Sequence, residues 1–440
     1  SDELIQSLSL EESVDRKVDE LSGGEIQRLA VAIAASKDAD VYFFDEPSSY
    51  NDVFQRMAVA KVIQSIASMG KYVLLVEHDL TFLDYLSDFI QIFYGEAGVY
   101  GVVSNIQPSR TGVNLLLDGY LPNENVRFRD KAVTFDIYSP AIDSVESNKI
   151  AEYSDLVKKY PNFELKIESG VLRESQVTGV LGGNALGKTT FIKMISGIEK
   201  SDNGGILTNA KISYKPQYLS PEYNGTVKML LDDAAHVDFE AGAIESSLIT
   251  PLKLQKLYDK QVTDLSGGEL QKVAIISCLL RDADIYALDE PSAFIDIEDR
   301  IVLAKAINRF VKSQNKSALI VDHDIQLVDI VSDSLMIFKG KSGVYGTSSR
   351  PMPKEEGMNA FLQDFCGAPE RFEWFCDLLS RRATTDSLTL SNEKTKTVLR
   401  NKEKRQKDSR EEKEKKAAAA ALSLLYTWKD STLSVNQDEQ

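Results

Sequence analysis

The sequence predicts an α/β protein with two homologous domains, each built around a mostly parallel sheet flanked by helices. The first observation is an internal repeat: LSGGE begins at Leu21 and again at Leu265, and each copy leads into an apolar strand that ends in Asp-Glu. The second is that an apolar strand and a histidine, His78 or His323, follow each copy. The third is a Gly-rich stretch, GVLGGNALGKTT, which precedes the second copy alone. A repeat of this length indicates two domains rather than a solenoid.

The composition suits a globular protein of two or three domains, with 440 residues, a net charge of −16 and 43% hydrophobic residues. No apolar run approaches the roughly 18 residues that span a bilayer, and no signal peptide is visible, so we expect a cytoplasmic protein without membrane contact. Cys278, Cys366 and Cys376 lack metal-ligand spacing, so no iron–sulfur cluster is expected within this chain. The acidic balance argues against indiscriminate nucleic-acid binding and leaves local patches for any RNA contact.

Motif order and composition divide the chain into five expected segments. Residues 1–104 correspond to the C-terminal half of a first domain, and residues 105–159 to a hinge or linker. Residues 160–350 correspond to a second domain and residues 351–380 to a second hinge portion. The charged segment 381–440 is predicted to be helical or disordered, with a basic arm that touches RNA as the alternative. By the repeat offset, we expect the first domain's own Gly-rich loop to lie before residue 1.

The elements of the first domain follow from its periodicity. The apolar positions after the first LSGGE have helical spacing. The continuous apolar run at 41–44 predicts a buried parallel strand, a helix is predicted at 53–68, and a second buried strand at 72–76. Strand, helix and strand in this order are typical of a doubly wound sheet.

The second domain repeats this order around the Gly-rich loop. A strand at 176–181 precedes the loop, and a helix begins at about Lys188. Residues 226–264 have a helical, polar pattern, which indicates an inserted helical subdomain. The sheet resumes with strands at 284–288 and 317–321.

The Gly-rich loop fits the phosphate-binding P-loop pattern, GxxxxGK followed by Ser or Thr, from Gly182 to Thr189. Its backbone N–H groups and the N-terminus of the next helix would present positive charge to phosphate oxygens. We expect Lys188 to reach the β and γ phosphates of ATP and Thr189 to hold Mg²⁺. The predicted ATP-binding residues of this segment are Gly182, Asn184, Gly187, Lys188, Thr189 and Thr190.

Two acidic residues end an apolar strand, at the sheet edge where α/β folds bind their ligands. We expect Asp289 to hold Mg²⁺ through water, and Glu290 to orient or deprotonate the attacking water. Gln217, in SYKPQYLSP, can touch both the metal and this water, and His323 can donate to a γ-phosphate. The predicted catalytic residues are therefore Lys188, Gln217, Glu290 and His323, and the predicted Mg²⁺ ligands are Thr189, Gln217 and Asp289.

Two further groups are candidates for ATP binding. Phe163 and Tyr160 precede the loop and could stack on adenine, with core packing as the alternative for both. LSGGE places a serine and two glycines before a helix, which predicts a second anion site made of exposed N–H groups.

With these motifs the sequence resembles ABC-type ATPases, in which the LSGGE signature closes over the nucleotide held by the opposite domain. The stretches DEPSSYNDVFQR, SYKPQYLSP and, above all, GVNLLLDGYLPNENVRFRD resemble the E subfamily, the RNase L inhibitor or ribosome-recycling ATPases, over about residues 1–363. The resemblance implies two P-loop ABC-type nucleotide-binding domains, the first one partial, with helical subdomains and a hinge region. The chain departs from the family at Ala185, where related loops commonly carry Gly, and after GMNAFL at 357–362, where its ending differs.

The resemblance further implies one complete composite site and one half-site. Ser22, Gly23 and Gly24 of the first domain would close over the ATP held by the P-loop. The half-site would have no P-loop and would consist of Asp45, Glu46, His78, Ser266, Gly267 and Gly268.

The function that the resemblance implies is ATP-driven splitting of ribosomes after termination or stalling, followed by a role at initiation. The implied partners are the small ribosomal subunit, a release factor or its stalled-ribosome paralogue, and initiation factors, with rRNA contacted through local patches. Related proteins carry two 4Fe–4S clusters in an N-terminal domain that this chain does not include. Two alternatives remain open: a truncated, non-catalytic ribosome-binding paralogue and an ATPase subunit of a membrane transporter.

Overall fold

The structure is a computed structural model, and it describes residues 2–96, 99–129, 148–208, 210–217, 223–235 and 244–366. The chain forms two compact units. One comprises Ser1–Val62 and Pro140–Met358, and the other comprises Ile63–Ser139 and Asn359–Gln440. The predicted charged tail at 381–440 lies outside the described residues, and so does part of the predicted second hinge portion, from residue 367 onward.

The helices and strands that the sequence predicts are all present in the described residues. The helices are α1 (Asp2–Ser7), α2 (Gly23–Ala35), α3 (Val53–Ser68), α4 (Leu80–Leu86), α5 (Ser109–Asp118), α6 (Lys188–Ile195), α7 (Val227–Ala234), α8 (Gly267–Leu280), α9 (Ile297–Ser313), α10 (Ile325–Val331) and α11 (Lys354–Cys366). Short helical turns at Glu245–Ile249, Leu254–Leu257 and Val262–Asp264 accompany α7, so the described part of 226–264 is helical, as expected. None of the helices in the described ranges is long and apolar enough to cross a membrane.

The strands of the described residues are two to eight residues long. They are β1 (Val41–Asp45), β2 (Tyr72–Val76), β3 (Phe89–Ile90), β4 (Phe93–Glu96), β5 (Tyr100–Val103), β6 (Gln107–Pro108), β7 (Tyr120–Leu121), β8 (Val126–Arg127), β9 (Lys149–Tyr153), β10 (Leu156–Tyr160), β11 (Phe163–Ile167), β12 (Gly170–Arg173), β13 (Gln176–Gly182), β14 (Ile206–Leu207), β15 (Ile212–Lys215), β16 (Ile285–Asp289), β17 (Ser317–Val321), β18 (Ser334–Lys341), β19 (Tyr345–Ser348) and β20 (Met352–Pro353).

A nine-stranded sheet in the first unit forms the framework of the second domain. Its strand order is β10-β11-β19-β18-β13-β17-β16-β15, and β20 pairs with β18. The consecutive strands from β18 to β15 in this order are all parallel, whereas β10, β19 and β20 each pair antiparallel with a neighbour. A small antiparallel sheet of β12, β9 and β14 belongs to the same unit. The predicted α/β fold with a mostly parallel sheet is confirmed.

The second domain begins earlier than we expected. We placed its start at about residue 160, but β10 already pairs with β11 in the nine-stranded sheet, and β9 pairs with β12. Both strands carry alternating or mixed polarity and no motif, so the sequence did not distinguish them from a linker. The expected hinge segment 105–159 is therefore too long at its C-terminal end.

Both LSGGE motifs begin a helix with the same reciprocal capping. Ser22 is the N-cap of α2 and accepts a hydrogen bond from the Glu25 N–H, while the Glu25 carboxylate accepts one from the Ser22 N–H. Ser266 and Glu269 repeat this arrangement at the start of α8. A good N-cap stabilises a helix by about 1 kcal/mol because it satisfies N–H groups that have no partner within the helix.

The core of the second domain lies between the sheet and α6. Phe191 and Ile192 of α6 belong to the same buried cluster as Ile285 of β16 and Leu319 of β17. All five residues of β16 and all five of β17 are buried. Burial of one such side chain contributes roughly 1.5–3 kcal/mol, so this layer fixes the strands that carry the site residues.

The corresponding strands of the first domain are exposed on one face. In β1 only alternate residues are buried, and Phe43 is 74% exposed, whereas Ala287 at the equivalent position of β16 is fully buried. In β2, Tyr72, Leu74 and Val76 are likewise exposed. The prediction that these two strands are buried is therefore wrong. An apolar run identifies a strand, but burial on both faces also needs a covering layer, which α6 provides for β16 and β17.

The second unit contains most of the predicted first hinge sequence. There α5 ends at Gly119, whose φ of 70° gives the left-handed C-cap that favours glycine. Arg129 Nη1 donates to Leu116 O at 2.6 Å and so satisfies a carbonyl at the helix end. Tyr120 of β7 pairs with Arg127 of β8 in a short antiparallel hairpin. The motif therefore forms an ordered cap on α5 as far as Arg129.

Candidate nucleotide site

The segments that carry the predicted site residues meet at one edge of the nine-stranded sheet. Strands β13, β17, β16 and β15 are neighbours and parallel, so their carboxyl ends lie side by side. The Gly-rich loop follows β13, Asp289 and Glu290 stand at the end of β16, His323 follows β17 and Gln217 follows β15. This is the edge at which α/β folds bind their ligands.

The loop from Gly182 to Thr189 has the backbone of a phosphate cradle. Gly187 is the N-cap of α6 with φ of 92°, and a Cβ there would lie 2.8 Å from the Leu165 side chain, so this position requires glycine. Lys188 Nζ donates to the carbonyls of Gly182 and Gly183, at 3.0 and 2.6 Å. Burial lowers the pKa of Lys188. The ammonium group therefore lies inside the cradle, bound to oxygens that phosphate could replace.

Ala185 departs from glycine at a position where the backbone favours it. Its φ is 55°, in the left-handed region, which costs a residue with a Cβ roughly 1–2 kcal/mol. The surrounding structure holds this conformation, since the Gly343 N–H donates to Ala185 O at 3.1 Å. The loop therefore keeps its shape despite the substitution that the sequence singled out.

Thr189 and Asp289 form the predicted metal pair. Thr189 Oγ1 donates to Asp289 Oδ2 at 2.8 Å. The other carboxylate oxygen, Asp289 Oδ1, is buried and has no hydrogen-bond partner among the described residues. Burial, followed by the charge of Glu290, raises the pKa of Asp289 to about 6. An oxygen-rich pair with an unpartnered buried carboxylate oxygen fits Mg²⁺, which prefers oxygen ligands.

The Glu290 side chain is held by two of the other three predicted catalytic residues, Gln217 and His323. Gln217 Nε2 donates to Glu290 Oε1 at 2.7 Å, and His323 Nε2 lies 3.3 Å from the same oxygen. Burial opposes ionisation of this carboxyl, but the interaction with His323 outweighs it and lowers the pKa of Glu290 to about 2. His323 Nε2 is buried and faces this oxygen without meeting hydrogen-bond geometry, so a phosphate oxygen would have to draw it away from Glu290.

Two residues that the sequence analysis missed bind the main chain of Glu290. Lys215, the last residue of β15, is 2% exposed, and its Nζ donates to Asp289 O at 2.8 Å and Glu290 O at 3.3 Å. Burial lowers the pKa of Lys215 to about 8. Gln271 of α8 donates from Nε2 to Glu290 O at 2.6 Å. Strand alternation could have predicted the burial of Lys215, because Ser213 and Lys215 occupy the inward-facing alternate positions of β15.

The first repeat contacts the P-loop through the segment after its Asp-Glu, which the sequence analysis also missed. Asp52 Oδ2 accepts a hydrogen bond from the Asn184 N–H at 2.7 Å. Asn184 Nδ2 donates to Gln55 Oε1 at 2.9 Å and to Tyr50 O at 3.4 Å. Residues of both repeats therefore form this site within one compact unit.

The LSGGE residues of the first repeat lie behind that contact. Gly23 and Gly24 pack against Tyr50, because a Cβ on either would lie 3.3 Å from its ring or 2.8 Å from its carbonyl oxygen. The Ser22 hydroxyl is used in the capping arrangement with Glu25, and no hydrogen bond joins Ser22, Gly23 or Gly24 to the P-loop in the described residues. The predicted approach of Ser22 to the nucleotide stays a prediction.

Tyr50 also contacts its own counterpart in the second repeat. Its ring lies edge-on to that of Phe294, with 5.6 Å between centroids and 73° between planes. Both residues have φ of 61°, and Phe294 packs on Gly267 and Gly268 as Tyr50 does on Gly23 and Gly24. The two signature motifs are therefore linked through one aromatic pair.

The predicted half-site residues differ from their counterparts in burial. Asp45 is exposed, whereas Asp289 is 1% exposed. Glu46 repeats the backbone of Glu290, with φ of 45°, and its carbonyl accepts from Gln27 Nε2 at 2.9 Å. In the second unit, His78 is exposed. Ser266 caps α8, and Gly267 and Gly268 follow it.

The aromatic candidates for adenine binding have structural partners. Phe163 is half-buried and packs against the domain core, and its ring centroid lies 6.3 Å from that of Tyr160. The Tyr160 hydroxyl bonds to the Glu199 carboxylate, and it also interacts with Thr190. Core packing is thus observed for Phe163, and adenine stacking by it stays a prediction. No group of three or more acidic, histidine or cysteine side chains in the described residues forms a metal site.

The fold and the site define an ATP-binding cassette, and a family model described as ABC transporter matches residues 1–49 and 165–293. The chain is 41% identical to translation initiation factor RLI1 of Chaetomium thermophilum over 82% of this chain and 60% of that protein. It therefore spans about 60% of the length of this curated relative. The chain belongs to the E family of ABC-type ATPases, the family of the RNase L inhibitor.

Two solved structures support the same assignment. A crystal structure of archaeal ribosome recycling factor aABCE1, in complex with the archaeal ribosomal stalk protein aP1, matches with 45% identity and a TM-score of 0.76, over 83% of this chain and 70% of that chain. ABCE1 in a model of ribosome-bound archaeal Pelota and ABCE1 matches with 48% identity and a TM-score of 0.78, over 82% and 60%. Both the fold and the family predicted from the sequence are confirmed.

Proposed function

We propose that this chain binds one ATP at the P-loop of its second domain and hydrolyses it there. The observation that carries the proposal is the convergence of Lys188, Thr189, Asp289 and Glu290 at one sheet edge. The buried Asp289 Oδ1, which has no hydrogen-bond partner in the described residues, supports a missing ligand of the kind that Mg²⁺ supplies.

Each residue has a defined task in that reaction. The N–H groups of the loop and Lys188 bind the phosphates, exchanging the carbonyls of Gly182 and Gly183 for phosphate oxygens. Mg²⁺, held by Thr189, Asp289 and Gln217, would neutralise charge that develops on the β and γ phosphates. His323 would donate to the γ-phosphate from Nε2, which now lies 3.3 Å from Glu290 Oε1.

The role of Glu290 is inferred from its contacts with Gln217 and His323, and its lowered pKa agrees with that role. At about pKa 2 the carboxylate is ionised at neutral pH but is a weak proton acceptor, since a general base works best with a pKa near the operating pH. Glu290 therefore orients the attacking water, with its carboxylate held by the hydrogen bond from Gln217 Nε2. Positioning of this kind suits phosphoryl transfer, which depends mainly on orientation and electrostatics.

The composite arrangement would leave the two repeats unequal. The P-loop is contacted by Asp52 and Gln55 of the first repeat, and closure would bring Ser22, Gly23 and Gly24 to the γ-phosphate. The half-site of Asp45, Glu46 and His78, opposite Ser266, Gly267 and Gly268, would not bind ATP within this chain. Calorimetric titration with a non-hydrolysable ATP analogue is expected to give one site per chain, and two equivalent sites would refute this.

The biological role that we propose is ribosome recycling in the cytoplasm, in which ATP-driven closure splits ribosomes and leaves the protein on the small subunit. Support comes from relatives described as a translation initiation factor, as an archaeal ribosome recycling factor with a stalk protein, and as ABCE1 with ribosome-bound Pelota. By extension, the partners are the small subunit, a release factor or its stalled-ribosome paralogue, and initiation factors. Local surface patches would contact rRNA.

Two measurements test the proposal at its two levels. For the chemistry, Glu290→Gln is expected to abolish ATP hydrolysis while ATP still binds, and unchanged hydrolysis would refute the catalytic assignment. For the role, the chain is expected to co-sediment with small ribosomal subunits in the presence of a non-hydrolysable ATP analogue. No enrichment over a Lys188→Ala control would refute the ribosomal role and favour an ATPase subunit of a transporter.

A non-catalytic ribosome-binding paralogue is a second candidate, favoured by the strained φ of 55° at Ala185 in the P-loop. If strain there weakens the cradle, Ala185→Gly should restore ATP affinity or hydrolysis. Equal nucleotide affinity of the parent and Ala185→Gly chains, together with measurable hydrolysis by the parent, would exclude this candidate.

A further inference from the structure

The backbone of Glu290 adopts a conformation that must be held by its surroundings. Its φ is 48°, in the left-handed region, which costs a non-glycine residue roughly 1–2 kcal/mol. A rotation of this residue towards an ordinary conformation would carry the carboxylate away from Gln217 and His323. The groups that bind the main chain of Glu290 therefore decide where its side chain points.

Four hydrogen-bonding groups bind that main chain, and the longest of these contacts runs from the Ala293 N–H to the Glu290 carbonyl at 3.5 Å. The Glu290 N–H donates to Val321 O at 2.7 Å, which attaches it to β17. Its carbonyl accepts from Gln271 Nε2 at 2.6 Å and from Lys215 Nζ at 3.3 Å, and Lys215 also binds Asp289 O at 2.8 Å. Each side-chain donor comes from a different element, β15 or α8, so the carbonyl is fixed from two directions.

The use of a buried lysine to bind a main-chain carbonyl costs free energy. Its side chain is 2% exposed, and the two hydrogen bonds that it donates at this end of β16 go to main-chain oxygens. Burial of an ammonium group is unfavourable unless it is well partnered, and a neutral side chain of the same length would fill the same space. A requirement of the site, rather than stability alone, accounts for an ammonium at this position.

We propose that Lys215 and Gln271 are positioning residues for ATP hydrolysis, which hold the strained main chain of Glu290 so that its carboxylate faces the attacking water. The proposal rests on hydrolysis at this site. Lys215 and Gln217 leave the same strand, so the end of β15 would fix both the main chain and the side chain of Glu290. In the first repeat, Gln27 donates to Glu46 O as Gln271 donates to Glu290 O, so the glutamine contact is a feature of both repeats.

The test compares lysine-to-methionine changes at the two ends of β16. Lys215→Met removes the ammonium below Glu290, whereas Lys316→Met removes an ammonium at the other end, where Lys316 Nζ lies 2.9 Å from Asp284 Oδ1. We expect Lys215→Met to lower kcat about ten- to hundredfold, because misplacement of a catalytic group by about 1 Å can cost that much. The KM for ATP should change less than about twofold, and Lys316→Met should leave both constants near parent values.

Gln271→Met is a second, independent variant, which removes a neutral hydrogen-bond donor to Glu290 O. It tests the proposal even if Lys215→Met does not fold. It too should lower kcat with little change in KM. Unchanged kcat in the folded variants, or a parallel loss of ATP binding and hydrolysis, would overturn the proposal. Glu290→Gln is the reference: hydrolysis that survives in Glu290→Gln would count against the proposed reaction itself and not against the positioning step.

Discussion

The effect of the contact between Asp52 and the P-loop can be measured separately from that of helix capping, because the equivalent residue of the second repeat, Asp296, provides a control. Asp52 Oδ1 accepts from the Gln55 N–H at 2.9 Å, and its Oδ2 accepts from the Asn184 N–H at 2.7 Å. At the equivalent position in the second repeat, Asp296 caps α9 by accepting from the Asp299 N–H at 2.9 Å. Asp52→Ala therefore removes the local contact and the loop contact, whereas Asp296→Ala removes the cap alone.

The magnitudes separate the two contributions. Loss of an N-cap costs about 1 kcal/mol, and loss of a hydrogen bond to a charged group costs roughly 1.5–3 kcal/mol. Only Asp52→Ala removes the hydrogen bond between the Asn184 N–H and a charged group. Because 1.4 kcal/mol corresponds to a factor of ten, this loss should increase the equilibrium constant for local opening at Asn184 about 10- to 100-fold. Native-state hydrogen exchange of the Asn184 amide, measured without nucleotide, reports that equilibrium directly.

The expected result is therefore an exchange rate at Asn184 that rises about 10- to 100-fold in Asp52→Ala and is unchanged in Asp296→Ala. Amides in the core strand β17 serve as an internal reference, since both variants should leave them near parent rates. Equal rates at Asn184 in the two variants would mean that the Asp52 carboxylate does not protect the loop in solution, and the reasoning from this contact would fail.

Three further predictions follow from the site and its supports. Gly187→Ala should abolish ATP binding and lower the melting temperature, because its Cβ would meet Leu165 at 2.8 Å, whereas Gly197→Ala, with φ of 72° and open space, should show strain alone. Arg28→Ala should reduce the free energy of unfolding by roughly 2–4 kcal/mol, because the buried guanidinium binds Leu8 O and Asn51 Oδ1 at 2.9 Å; a loss below 1 kcal/mol in denaturant titration would contradict this. Since the folded pKa of Asp289, about 6, lies above its ordinary value of 3.8, its ionisation destabilises the fold as pH rises from about 4 to 6. Without Mg²⁺, Asp289→Asn should therefore gain roughly 1–3 kcal/mol over the parent at pH 8 and little at pH 4, and an equal gain at both would refute it.

The strands and loops that the sequence predicted share a local signature. The strand at 72–76 and the helix at 53–68 have the predicted bounds. Apolar spacing and the Gly or polar residues that flank an element can both be recognised from neighbouring residues alone. The convergence of Gln217, Asp289, Glu290 and His323 followed from parallel strands that end at one edge. Repetition of motifs within the chain made these assignments specific.

The features that the sequence did not predict depend on distant partners. The sequence led to no prediction for Lys215, whose burial and hydrogen bonds to Asp289 O and Glu290 O depend on the neighbouring strand β16. The sequence led to no prediction for Asp52 either, and nothing local indicated that Asn184 would lie against it. The exposure of Phe43 also depends on distant residues. Neighbouring residues determine that β1 is a strand, but whether a second layer covers it depends on residues far away in the sequence.

The aromatic contact between Tyr50 and Phe294 has a geometrical consequence. Two residues at equivalent repeat positions that touch each other mark an approximate two-fold axis, at which a residue meets its own counterpart. A contact on such an axis is self-complementary, so exchanging its two members should be nearly silent. The asymmetric contacts of the site lie away from this axis, where Asp52 of the first repeat binds the P-loop of the second.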